Sequence, residues 1–325
     1  MIHDAKHMNI LVAGGAGFIG TNLCSYLLEK GHDVTCVDNL YTGSIRNISS
    51  LLENTSFTYI NADVRDCLCN RADLRGFDIV FNLACPASPA KYQEDPVQTL
   101  LTNVIGTKNL LDLASMCQAT FVQASTSEIY GEPAIHPQSE QYYGNVNPNG
   151  LRSCYDEGKR AAESLVFDHS RMYGTRIKVA RIFNTYGPYM AVNDGRVVSN
   201  FIVQALRNEQ LTIYGHGRQT RSFCFVDDLV EGLWLLACSK DSFVGPVNIG
   251  NPAEISVRDL AMEISAATER DLELVFSELP ADDPTRRKPD ISLAKTMLGW
   301  EPRCSLSDGL AKTIAYFRDL PECRS

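Results

Sequence analysis

Little in this 325-residue chain suits a membrane, a nucleic acid or a disulfide scaffold. It has no apolar run of 18 residues, so no transmembrane helix is expected. Segment 1–9 is polar and leads directly into an apolar run, and no signal peptide is visible there. Cations are in deficit: 30 Lys and Arg stand against 39 Asp and Glu, a formal charge of −9. A nucleic-acid binder presents a basic face and an anionic membrane attracts one, so neither partner is expected. Eleven cysteines form an odd set without framework spacing, and the Cys-x-Cys at Cys67 and Cys69 lacks a second Cys or His pair to complete a metal site. Reduced thiols in a cytoplasmic protein without a metal are the reading, with Cys85 and Cys154 as small buried fillers rather than nucleophiles. No internal repeat, low-complexity tract or long linker is present.

What is present is an alternation. Apolar, β-rich runs at 9–13, 33–37, 57–60, 78–83, 120–124 and 177–182 are interleaved with helical spacing at 18–30, 96–116 and 154–173. Gly31 reads as a helix stop. This pattern predicts a doubly wound parallel sheet covered on both faces. Beyond it, short strands at 211–213 and 247–249 sit among helices at 197–207, 226–238, 257–267 and 308–317. That texture predicts a smaller C-terminal α/β lobe, with boundaries of 1–183 and 184–325 and some segments returning to the first domain.

Gly14, Gly17 and Gly20 give Gly-x-x-Gly-x-x-Gly between the first strand and the first helix. The first glycine permits the turn, the second lets backbone approach a pyrophosphate and the third lets helix pack on strand. The helix N-terminus then offers amide donors to the phosphates. Asp38 ends the second strand, where a carboxylate binds both adenosine-ribose hydroxyls and repels a 2′-phosphate, which favours NAD over NADP. Asp63-Val64, after the third strand, reads either as an adenine contact or as an ordinary turn carboxylate.

Tyr155 and Lys159 are four residues apart, on one face of a helix. A phenol titrates near 10, and an adjacent ammonium and a nicotinamide cation both favour its phenolate, so Tyr155 is expected to act as a base near neutral pH. Alone, Tyr-x-x-x-Lys is usually a surface pair. Its weight comes from Ala124-Ser125-Thr126-Ser127-Glu128, which ends a central strand at the carboxyl edge of the sheet, where open α/β sheets bind ligands. Thr126 is suited to bridge a substrate hydroxyl and Tyr155, and Ser127 and Glu128 extend the polar row.

Together these motifs resemble the extended short-chain dehydrogenase/reductases that act on nucleotide sugars. Further stretches narrow the resemblance to their UDP-glucuronate-decarboxylating branch. These are Asn82-Leu83-Ala84-Cys85-Pro86-Ala87-Ser88-Pro89, Arg152-Ser153-Cys154-Tyr155-Asp156-Glu157-Gly158-Lys159-Arg160, Asp194-Gly195-Arg196-Val197-Val198-Ser199-Asn200-Phe201 and Arg287-Lys288-Pro289-Asp290-Ile291. The resemblance covers essentially the whole chain and implies a Rossmann-type domain holding NAD. It also implies a redox-neutral cycle: C4 of the sugar is oxidised, the resulting β-keto acid loses CO2, and C4 is reduced again to give UDP-xylose. Relatives that dehydrate carry Thr-Asp-Glu in the central row, and epimerases usually lack the Glu. The alternative is another NAD-dependent UDP-sugar epimerase, 4-keto reductase or dehydratase.

By the same resemblance Tyr155, Lys159, Thr126, Ser127, Glu128 and Arg287 are the catalytic set. NAD contacts fall at Gly14, Gly17, Phe18, Ile19, Gly20, Asp38, Asn39, Asp63, Val64, Asn103, Ala124, Tyr155, Lys159 and Thr185. The UDP-sugar falls to Pro86, Ser88, Tyr92, Asn184, Arg196, Val198, Asn200, Thr212, Tyr214, Gln219, Arg221 and Arg287. Residues 1–175 carry 12 cations against 19 acids and residues 176–325 carry 18 against 20, so the cations gather where an anionic substrate is expected. Arg286-Arg287-Lys288 would ordinarily be a solvated charge run, and only Arg287 is singled out, by its flanking motif. Two positions depart from the family pattern: Leu101 replaces a lysine and Tyr189 an arginine. A homodimer is also implied, paired through the helix of Tyr155 and the long helix before the fifth strand.

Overall fold

The computed structural model describes residues 7–270, 272–278 and 286–323; residues 1–6 of the polar N-terminal segment lie outside them. Its centre is a seven-stranded parallel sheet. Strands β1 (Asn9–Ala13), β2 (Asp33–Asp38), β3 (Phe57–Asn61), β4 (Ile79–Asn82), β5 (Thr120–Thr126) and β6 (Ile177–Ile182) lie in the order 3-2-1-4-5-6. A seventh strand, Val247–Ile249, pairs in parallel with β6. The order reverses between β1 and β4, so the crevice above their carboxyl ends is the switch point where such sheets bind ligands. β5 is buried at all seven positions, as a strand covered on both faces must be.

Three two- and three-stranded sheets build the rest. Thr185–Tyr186 pairs with Cys224–Phe225, Leu211–Tyr214 with Leu274–Ser277, and Thr220–Ser222 lies between Glu254–Ser256 and Arg286–Arg287. The sequence pattern places strand 247–249 in the second lobe, yet it extends the large sheet. The helix before it, Val226–Ala237, packs on the first helix, Phe18–Glu29. One apolar cluster consequently runs from Ile10 and Leu23 to Leu233, Ile249 and Phe317.

A second difference positions the site. The single helix expected over 96–116 is Pro96–Leu101, then a wide turn of π-helix at Thr102–Gly106, then Thr107–Cys117. There the chain crosses Ser153–Tyr173 closely: a Cβ on Gly158 would sit 2.9 Å from Asn103 Nδ2. Among the described residues no helix is long and apolar enough to cross a membrane, and no group of three or more His, Cys, Asp or Glu is arranged to hold a metal ion.

Candidate active site

A cavity of about 1020 Å3 runs along the carboxyl edge of the sheet and on between the sheet and the C-terminal segments. One end is the glycine turn. Gly14 has φ +79, and a Cβ there would press on Leu83 at 2.8 Å. A Cβ on Gly20 would collide with the Gly14 carbonyl oxygen. Gly17 caps the first helix without a side chain, so the helix's first amides are offered to an anion. Asp38 is buried beside them, accepting from Ala16 N at 3.0 Å and Leu40 N at 2.8 Å. Burial pushes its carboxyl up and these two amides oppose the rise. A close-approach turn, free helix amides and a carboxylate one strand away fit the pyrophosphate and ribose diol of a dinucleotide. Asp63 is held to about 2, chiefly by its hydrogen bonds from Arg65, with Asn39 donating at 2.9 Å.

The middle is set by β5 and helix Ser153–Tyr173. Two buried ties hold the helix on the sheet: Lys159 Nζ donates to Ala124 O of β5 at 2.9 Å, and Glu163 accepts bidentately from Arg181 of the neighbouring β6 at 3.0 and 2.9 Å. Tyr155 is thereby brought beside Thr126. The ring of Tyr92 stacks on that of Tyr155, centroids 5.0 Å apart. Lys159 Nζ is 5.8 Å from the Tyr155 ring centre.

Burial weighs on the protonation of this pair. Burial drives the Tyr155 phenol well above its ordinary range, with the Cys85 thiol and the Glu128 and Asp156 carboxyls acting in the same direction and Thr126 opposing. Burial also lowers the Lys159 ammonium. Residue spacing revealed the cation but not the desolvation that outweighs it.

Glu128 lies in the 310 turn after β5 and meets two guanidiniums. Arg152 Nη2 donates to its Oε2 at 2.6 Å and Arg287 Nη2 to the same oxygen at 3.2 Å; Arg287 Nη1 donates to Ser127 O. Burial alone would raise this carboxyl, but Arg287, Arg152 and Arg221 together hold it below its ordinary value, so it is ionised. In the charge run, Arg286 is exposed and Lys288 pairs with Glu254 at 3.3 Å, while Arg287 is 2% exposed inside the site. Strand register sets Arg287 beside Arg221. Arg152 and Asp156, which complete this network, drew no role from the sequence; Arg152 precedes the expected start of the helix.

Every residue expected at the site lines the cavity except Asn103. The glycines, Phe18, Ile19, Asp38, Asn39, Asp63, Val64, Ala124 and Thr185 lie toward the turn. Pro86, Ser88, Tyr92, Asn184, Val198, Asn200, Thr212, Tyr214, Gln219 and Arg221 also line it. Arg196 joins both groups: it pairs with Asp194, and its guanidinium lies 5.5 Å from the Phe18 ring centre. Asn103 is buried behind the wall, donating to Cys85 Sγ and Thr99 O, each at 3.1 Å. Tyr189 is on the wall, against the Tyr316 ring. Leu101 is not; it is 39% exposed on the outer face with Val97, Leu100 and Ile105.

Residues 10–250 match the NAD dependent epimerase/dehydratase family. UDP-glucuronic acid decarboxylase 3 of Arabidopsis thaliana is 51% identical over 313 residues, 96% of this chain and 90% of that one. UDP-glucuronic acid decarboxylase 1 of Xenopus tropicalis is 51% identical over 317 residues, 98% of this chain and 74% of that one. Among solved structures, UDP-glucuronic acid 4-epimerase from Bacillus cereus, in complex with UDP-glucuronic acid and NAD, superposes with a TM-score of 0.85 at 29% identity, over 95% of this chain and 98% of that one.

Proposed function

The chain belongs to the NAD dependent epimerase/dehydratase family, and from that premise we infer that it decarboxylates UDP-glucuronate to UDP-xylose through a 4-keto sugar. The cofactor is NAD, which supplies a reversible two-electron oxidation at C4 of the sugar. The glycine turn and Asp38 are the residues that would hold it.

The division of labour among side chains is our proposal. Tyr155, with Thr126 beside it, takes the proton of the sugar 4-hydroxyl. Burial opposes ionisation of the phenol, so Lys159 and the cationic ring of the cofactor must together favour it. Arg221 lies toward the diphosphate, and Arg287 toward the sugar, where it also fixes Glu128 and the Ser127 carbonyl. Asn103 acts from behind, by holding the helix crossing and Cys85. Once C4 is a ketone, the C5 carboxylate leaves as CO2 with its electrons passing into an enolate, and no acid is needed to expel a hydroxide.

One observation separates this reading from dehydration. Between Thr126 and Glu128 stands Ser127, and Glu128 is held ionised by two arginines, so the row has no carboxylic acid for a dehydration. The test is to give the purified protein UDP-glucuronate and follow the sugar by NMR while trapping CO2. UDP-xylose with equimolar CO2 is expected; turnover of UDP-glucose or UDP-GlcNAc, with UDP-glucuronate left intact, would sink the reading.

We further propose residues 1–183 as the NAD-binding lobe and 184–325 as mainly the UDP-sugar lobe, with strand Val247–Ile249 returned to the first. Exposed Val97, Leu100, Leu101 and Ile105 recur at helical spacing and support a homodimer across that face. Exposed thiols at Cys67 and Cys238 support a reducing compartment, the cytoplasm.

A further inference from the structure

Asp156 follows Tyr155 on the site helix but does not line the cavity. It is 7% exposed, and its Oδ1 is buried without a hydrogen-bond partner. Buried carboxylate oxygens are rarely left so, because each uncompensated one costs the desolvation of the group. Its other oxygen lies 4.0 Å from Arg152 Nε, one turn back on the helix. Nη2 of the same guanidinium donates to Glu128 Oε2 at 2.6 Å, and Arg287 Nη2 donates to that oxygen at 3.2 Å. Two carboxyls thus meet the Nε/Nη2 edge of one arginine, the closer one ionised and hydrogen-bonded, the farther one poorly satisfied.

We propose that Asp156 is a positioning residue for the decarboxylation: its protonation state sets how Arg152 divides its guanidinium between Asp156 and Glu128, and so how firmly the site carboxylate is held. The proposal rests on the activity inferred above. Two like charges sharing one cation cannot both ionise freely, so the pair retains a proton that either carboxyl acting alone would lose. The groups facing Asp156 are Arg152, Cys154, Tyr155 and Glu157 on its own helix, Glu128 on the 310 turn, Arg287 on the last strand and the Tyr92 phenol. Burial and then Glu128 push Asp156 up to about 7, against the pull of Arg152 and Arg287. With Asp156 neutral, Arg152 stays on Glu128; as pH rises through neutrality, Asp156 ionises and draws Arg152 back from Glu128. Activity should then decline along that limb.

Two measurements test this. The first is the pH profile of kcat/KM for UDP-glucuronate in wild type and Asp156→Asn. The wild type should show a falling limb near neutral pH that Asp156→Asn lacks, with NAD binding unchanged. The same limb at the same pH in the variant overturns the proposal, as does a wild-type profile with no such limb. The second needs no turnover, so it separates failure of the proposal from failure of the decarboxylase reading. The Asp156 carboxyl is titrated by 13C NMR, assigned by its loss in Asp156→Asn, in wild type and in Glu128→Gln. It should titrate near neutrality in the first and about 1 pH unit or more lower in the second. A carboxyl that titrates in the ordinary range, or that ignores Glu128→Gln, contradicts the coupling. A merely structural Asp156 would leave the falling limb in place in Asp156→Asn.

Discussion

Arg287 donates to Glu128 at 3.2 Å across 159 residues of sequence, joining the last strand of the C-terminal lobe to the turn that ends β5. The contact ties the two halves of the chain together at the site, and it is buried: the Arg287 side chain is 2% exposed and that of Glu128 16%.

Glu128→Gln should therefore cost stability as well as activity. Removing one partner of a buried ion pair leaves the other uncompensated, here the buried Arg287, at about 3 kcal/mol. The arginines hold the Glu128 carboxyl below its unfolded value against its burial. Its contribution is thus fully present above the unfolded carboxylate pKa of about 4.3 and is lost as pH falls through the lower folded value. Urea unfolding of wild type and variant should differ most near neutral pH and converge in acid.

Tyr155→Phe should lower kcat by about 10²- to 10⁴-fold, the usual contribution of a positioned general base. NAD binding should survive, because the glycine turn and Asp38 lie away from the phenol's hydroxyl. Calorimetric titration with NAD beside a turnover assay separates the two effects.

Gly20→Ala tests the cofactor turn. The added methyl collides with the Gly14 carbonyl, so the first helix must move off the strand. NAD affinity should fall by more than tenfold, read by fluorescence titration, in a protein whose far-ultraviolet circular dichroism still reports the fold.

The paired substitutions Val97→Glu and Leu101→Glu place charge on the exposed apolar face of helix Pro96–Leu101. Sedimentation equilibrium should show a dimer for wild type and a monomer for the double variant. Leu101→Lys alone should leave KM for UDP-glucuronate within about twofold, because surface changes away from a site are usually energetically small and Leu101 does not line the cavity.

The parts of the site legible in sequence are those written in local spacing. Gly14, Gly17, Gly20 and Asp38 need a strand, a turn and a helix in succession, and Tyr155 and Lys159 need one helical turn. Arg287 was separable from Arg286 and Lys288 only through its flanking motif, although strand alternation puts it alone inside. What remained hidden depends on long-range pairing or on burial. Strand 247–249 is too short to say which sheet it joins. The wide turn at Thr102–Gly106 leaves no mark in apolar periodicity, yet it sets Asn103 behind the wall rather than on it. Leu101 looked like a cation lost from the substrate's neighbourhood, and the fold turns it outward. Arg152 and Asp156 gain their meaning from Glu128, which is distant in sequence and adjacent only after folding.

The most direct test of the redox-neutral decarboxylation is to run it in D2O and read the product by NMR. Oxidation and reduction at one carbon, with no exchange of the transferred hydrogen, predict UDP-xylose carrying one deuterium at C5 and the substrate's own hydrogen at C4. Deuterium at C4, or a UDP-sugar that turns over without losing CO2, would contradict the account.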